Sequence, residues 1–147
     1  MDATPHLRET AGCLCLAARR AARAITANFD RALRAHGLRS TQFTLLAVLA
    51  LMGEQTVGAL ARIIGADRTT MTRNVALAAK RGLVTVAQDA EDARARRVAI
   101  TSEGRTTLDE AFVSWRRVQT SLTEAMGIAA ADGLRRIARE RVAARSA

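Results

Sequence analysis

After Gly82 the hydrophobic period of the chain changes. LVTVAQ alternates Val84 and Val86 with Thr85, and RVAIT alternates Val98 and Ile100 with Ala99. Period two marks a strand with one buried face, so the two segments predict a small antiparallel hairpin. The loop between them, QDAEDARARR, sets Asp89, Glu91 and Asp92 ahead of Arg94, Arg96 and Arg97. A solvated turn needs neither so many charges nor that order. One charged hairpin inside an otherwise helical pattern leaves few folds open.

The helical pattern runs on both sides. From about Thr10 to His36, Leu14, Ala18, Ala21, Ile25, Phe29 and Ala32 recur at steps of three and four, and Gly37 follows as a stop. Ser40 reads as the N-cap of a second helix through Met52, apolar on nearly all sides and so expected in the core. TVGALARII, from Thr56 to Ile64, reads as a short helix. Gly65 and Ala66 then make a tight turn, and Asp67 caps a helix that reaches Arg81 and ends at Gly82. Beyond the hairpin, Ser102 reads as the cap of a long helix. Its Leu108, Ala111, Trp115, Val118, Leu122 and Ala125 form a heptad-like stripe that calls for a partner helix. Asp132 reads as the cap of a last amphipathic helix, Gly133 to about Ala144, with Leu134, Ile137, Ala138 and Val142 on its apolar face. The expectation is a mainly α protein with one small β-hairpin, in a single domain of 147 residues.

Composition narrows the function classes. A hydrophobic fraction of 49% is ample for a core, and 3% aromatics with one Pro favour helices. The formal charge of +9, with Lys80 the sole lysine among the cations, favours a polyanion as partner. The longest apolar run, Phe43 to Gly53, is too short for a membrane span, and the first ten residues lack a signal pattern, so a cytoplasmic protein with no membrane partner is expected. Cys13 and Cys15, taken as two positions of one helix, cannot form an ordinary disulfide, and they match no zinc spacing with His6 and His36. There is no nucleophile-and-base pattern and no Gly-rich loop, so neither an enzyme nor a cofactor or metal is expected.

Function is best placed on the helix after Asp67. Met71, Val75 and Ala78 are spaced to face inward, which turns Arg68, Thr69, Thr70, Thr72 and Arg73 largely outward near the N-terminal end. Hydroxyls and guanidinium groups at such an end suit phosphates and base edges. A solvated amphipathic helix would look similar in isolation. Helix, turn, helix and basic hairpin in succession is instead the winged-helix order, in which the second helix enters the major groove of double-stranded DNA and the hairpin reaches the minor groove. Arg94 and Arg96 are the wing cations, with Asp92 as the acid that supports Arg94. A sequence-blind architectural protein would not need all these parts together.

The stretch DAEDARARRVAITSEGR resembles the wing signature of the MarR family of bacterial regulators: Asp, Asp three residues on, Arg two further, an alternating strand, Thr, and Gly three later. Here these are Asp89, Asp92, Arg94, Thr101 and Gly104, with Ala90 where the family often has Pro. DRTTMTRNVALAAKRGLV and GLRSTQFTLLAVL are similar to the family's recognition and preceding helices. The resemblance implies a winged-helix lobe over 40–101 and dimerisation helices at 10–36 and 102–144. It also implies a homodimeric repressor on a palindromic operator, released by a small organic effector such as an aromatic acid. Cys15, with Arg23, Thr26 and Phe29, also resembles the peroxide-sensing branch, which makes Cys15 and Cys13 candidate redox residues. That branch surrounds its cysteine with tyrosines, and this chain has none.

Overall fold

The computed structural model describes residues 5–140. Among these residues, seven α-helices and three short strands follow in order: α1 (Pro5–Glu9), α2 (Leu14–Leu33), α3 (Ser40–Met52), β1 (Gln55–Thr56), α4 (Val57–Ile64), α5 (Arg68–Lys80), β2 (Val84–Gln88), β3 (Arg96–Ile100), α6 (Ser102–Met126) and α7 (Ile128–Glu140). No helix among the described residues is long and apolar enough to cross a membrane. The mainly α fold with a β-hairpin wing is therefore present.

The middle of the chain closes on itself. Phe43, Leu45, Leu46 and Leu49 of α3 are buried against Leu60 of α4, Met71, Val75 and Ala78 of α5, and Val98 of β3. Caps fix the two short helices. Thr56 Oγ1 accepts the Ala59 amide at 3.1 Å and Asp67 Oδ1 accepts the Thr70 amide at 2.8 Å, each satisfying a first-turn donor. Thr56 is thus the cap of α4 and not its first residue. The hairpin gains a third strand, since the sheet order is β1-β3-β2, with Gln55 opposite Val98 and Val86 opposite Val98 from the other side. Two residues are too few to display an alternation, which is why β1 left no period in the sequence.

Three boundaries differ from the sequence reading. The first helix breaks at Cys13, whose backbone is extended (φ −60°, ψ 116°) after a 3-10 turn at Thr10–Gly12. The Thr10 hydroxyl donates to Leu7 O at 2.7 Å and the Cys13 amide to Thr10 O at 3.1 Å, which stabilises that turn over a continuous helix. Cys13 is therefore the N-cap of α2, and Cys15 lies in its first turn. Ser40 is the first helical residue of α3, after Arg39 as cap, and its amide donates to Asp30 Oδ1 of α2 at 2.7 Å. The last helix begins at Ile128, after Gly127 (φ 82°), so Asp132 lies inside α7 and pairs with Arg135 at 2.7 Å. The expected extension to Ala144, with Val142, lies outside the described residues.

The stripe on α6 finds its partner within the chain. Leu108 and Ala111 are buried, and Trp115 stacks with Phe43 of α3 (centroids 5.7 Å apart) and with Phe112 (5.5 Å), with Phe29 of α2 at 6.3 Å. α2 and α3 thus cover the stripe around Leu108, Ala111 and Trp115, whereas Val118 and Leu122 are half-buried and Ala125 is exposed. Other apolar side chains stay uncovered: Leu14 is 85% exposed, Val113 65% and Ile128 73%. The α3 helix is not wholly core either, for Leu51 and Met52 at its end are exposed.

The signature residues Thr101 and Gly104 have a packing reason. Thr101 Oγ1 donates to Gly82 O at 2.6 Å and accepts the Gly104 amide at 3.0 Å, and the Thr101 amide donates to Leu83 O at 3.1 Å. A Cβ at Gly104 would collide with that same Leu83 carbonyl oxygen, so only glycine lets the first turn of α6 lie against the start of β2.

Candidate nucleic-acid interface

The outward face of α5 is positioned by its cap and its core contacts. Met71, Val75 and Ala78 face inward as their spacing demands, leaving Arg68, Thr69, Thr70, Thr72 and Arg73 exposed. These five are not equivalent. The Thr70 hydroxyl donates to Asp67 Oδ2 at 2.6 Å, and the Thr72 hydroxyl donates back to Arg68 O at 2.9 Å. With the Thr70 hydroxyl and amide both on Asp67, that carboxyl is held below the usual carboxylate range. Thr70 therefore serves the cap. The side chains of Arg68, Thr69 and Arg73 make no hydrogen bond or ion pair with other described residues, and they remain available to a partner.

The wing is ordered by its acids, through pairings other than the one the sequence suggested. Asp92 does not hold the Arg94 guanidinium; its Oδ1 accepts the Arg94 backbone amide at 2.9 Å, closing a turn. Asp89 does more. Its Oδ1 accepts the Glu91 amide at 2.7 Å and the Asp92 amide at 3.2 Å, while Oδ2 accepts from Arg97 Nη1 at 3.2 Å. The Glu91 amide first, then Arg97, hold its carboxyl below the ordinary range. Arg97 also donates to Glu54, just after α3, and Glu54 followed by Asp89 raises its pKa further. One guanidinium thus ties the wing tip to the body of the lobe. Arg94 and Arg96 stay exposed with no ion pair to another described residue.

A cleft of about 440 Å³ opens beside the recognition helix. Asp30 and Arg34 come from the end of α2, Arg39 and Gln42 from the start of α3, and Asn74, Leu77 and Arg81 from α5 and its C-cap. Sequence reasoning missed this convergence because it joins residues more than thirty positions apart in the chain. Elsewhere, Arg19, Arg20 and Arg23 are exposed along α2, and His36 Nε2 lies 3.0 Å from Ser114 Oγ of α6. Cys13 and Cys15 are both exposed free thiols at the start of α2.

The comparisons with known proteins fit this arrangement. A sequence profile described as the MarR family matches residues 36–95. The M. tuberculosis transcriptional regulator MosR, solved in complex with DNA, is 45% identical, with 78% of this chain and 84% of that chain covered and a TM-score of 0.72. A second structure of the M. tuberculosis MosR regulator is 36% identical over 88% of this chain and 95% of that one, with a TM-score of 0.77. The PcaV transcriptional regulator from Streptomyces coelicolor, solved with its natural ligand, shares the fold at 21% identity, covering 97% of this chain and all of that one, with a TM-score of 0.79. No curated protein matches the sequence. The α5 face, the acid-ordered wing and these likenesses agree on one assignment: the chain belongs to the MarR family of transcriptional regulators.

Proposed function

We propose that the chain is a DNA-binding repressor that grips a palindromic operator as a homodimer and is released by a small organic ligand. The outward face of α5 carries the reading: Arg68, Thr69 and Arg73 are exposed and unpaired among the described residues, beside a wing that presents Arg94 and Arg96. Arg73 and Thr69 read base edges, with ~1–3 kcal/mol of discrimination for each good two-bond contact, while Arg94 enters the minor groove. Thr70 contributes by fixing the helix start. The relative solved with DNA supports the partner.

The dimerisation helices at 10–36 and 102–144 join two copies in this reading, which places the lobes over 40–101 on successive major grooves. Leu14, Val113 and Ile128 support it, because each is apolar and uncovered in the single chain. The effector, an aromatic acid or similar organic molecule, binds between these helices and the lobe. A cytoplasmic location follows from a DNA partner. Footprinting tests the reading. One symmetric protected site is the expected result, and uniform coverage would replace the regulator with an architectural protein. Arg94→Ala should weaken operator binding and flatten its salt dependence.

Thiol control is a second reading, favoured by the exposure of Cys13 and Cys15 at the start of α2. A helix N-terminus stabilises a thiolate, the form that peroxides oxidise. Operator affinity of reduced protein, peroxide-treated protein and Cys15→Ser, beside a panel of aromatic acids, separates the two controls. Equal weakening of wild type and variant by peroxide removes Cys15 as the switch.

A further inference from the structure

The cleft beside α5 holds cations that the DNA reading has not used. Arg34, Arg39 and Arg81 line it against one acid, Asp30, whose Oδ1 already accepts the Ser40 amide. Arg34 and Arg39 make no ion pair with another described residue. Arg81 is fixed in place: its Nη1 donates to Gly37 O, and a Cβ at Gly37 would lie 2.8 Å from its Nη2. The bare glycine, with φ 67°, lets the guanidinium rest against the backbone.

The placement of the cleft identifies what fills it. Asn74, Leu77 and Arg81 are spaced along one flank of α5, between its inward face and the outward Thr69 and Arg73. A helix with its side chains is about 10–12 Å across and the major groove is about 12 Å wide, so a helix that enters the groove sets its flanks against the phosphate strands. The flank of α5 that faces the cleft would therefore bring one strand to Arg34 and Arg39. At the far end of α3, roughly 20 Å away for 13 residues, Glu54 anchors the wing. The lobe carries cations at both ends of this one helix.

We infer that the cleft is a clamp for a backbone phosphate of the DNA that α5 reads. The inference rests on the DNA-binding reading above and adds a contact outside the recognition helix and the wing. Arg34 and Arg39 supply exposed, unpaired charge, Arg81 supplies a fixed wall, and the guanidinium fork matches phosphate oxygens. Such a contact is blind to base sequence.

The test is the salt dependence of affinity for a selected operator and for a duplex of mixed sequence. The Arg34→Gln/Arg39→Gln protein should lose about 0.9 in the slope of log affinity against log salt for each phosphate released, by the same factor on both duplexes. The Arg34→Lys/Arg39→Lys protein should keep the slope. An unchanged slope in the Gln pair overturns the clamp, as does an equal loss in the Lys pair, which marks a structural role. Sodium benzoate that raises the unfolding temperature of wild type but not of the Gln pair, with slopes equal, makes the cleft a small-acid site instead. Wild type that binds both duplexes equally overturns the operator reading, while the slope comparison still decides the clamp.

Discussion

The lobe from α3 to β3 and the helices that flank it treat apolar residues in opposite ways. In the lobe, Leu45, Leu46, Leu60, Met71 and Val98 are fully buried by their own chain. In the flanking helices, Leu14, Val113 and Ile128 remain open although they sit on amphipathic faces. The lobe therefore carries its own driving force for folding, whereas the arms leave apolar surface open, as the proposed dimer requires. A DNA reader needs the first property, and the proposed pairing of two readers would draw on the second.

The sharpest way to break that contrast is to empty the lobe. Leu46→Ala should cost about 2–5 kcal/mol in chemical denaturation, since Leu46 is fully enclosed and its loss leaves a cavity. A loss under about 0.5 kcal/mol, the usual range for a surface change, would show that the lobe is not the independently packed region. Gly104→Ala probes the seam between lobe and arm, where the Leu83 carbonyl leaves no room for a Cβ. A penalty of about 1–3 kcal/mol is expected in the same experiment, and a neutral result would mean the first turn of α6 shifts freely.

The arms should respond differently. Val113→Asp with Ile128→Asp should weaken self-association at least tenfold in sedimentation, about 1.4 kcal/mol, while the secondary structure of the protomer persists. Unaltered sedimentation would place the interface elsewhere on the chain. The smallest effect is expected at the wing. Asp89 has a depressed pKa in the folded chain, so its contribution to wing order is complete above the ordinary carboxylate pKa and is lost as pH falls through the lowered value. The amide resonances of Glu91 and Asp92 should move together in that acid window, and in Asp89→Asn the movement should vanish. Separate titration midpoints for the two amides would dissolve the assignment.

Legibility in the sequence followed the same divide. Asp67 as a cap and Met71, Val75 and Ala78 as the inward face of α5 were readable because capping and helical period are local. β1 was not, since Gln55 becomes a strand only through Val98, far along the chain. Asp132 was taken for a cap on residue type alone, while the actual stop was the positive φ of Gly127. At the wing, the grouping of acids before arginines was a true sign of order, but which acid holds which arginine depends on Glu54 arriving from another element. Arg34, Arg39 and Arg81 gave no sequence signal at all, because nothing in their spacing hints that the end of α2 meets the end of α5.

Trp115 is the one tryptophan of the chain, and it bridges the two regions contrasted above. Its ring stacks with Phe43 of the lobe and with Phe112 of the arm. Any rotation of the lobe against the arms must slide the indole across at least one ring, changing its packing and its access to water. The protein thus carries a built-in optical gauge. Emission from the unlabelled chain reports the angle at that joint while DNA, peroxide or an aromatic acid is titrated in.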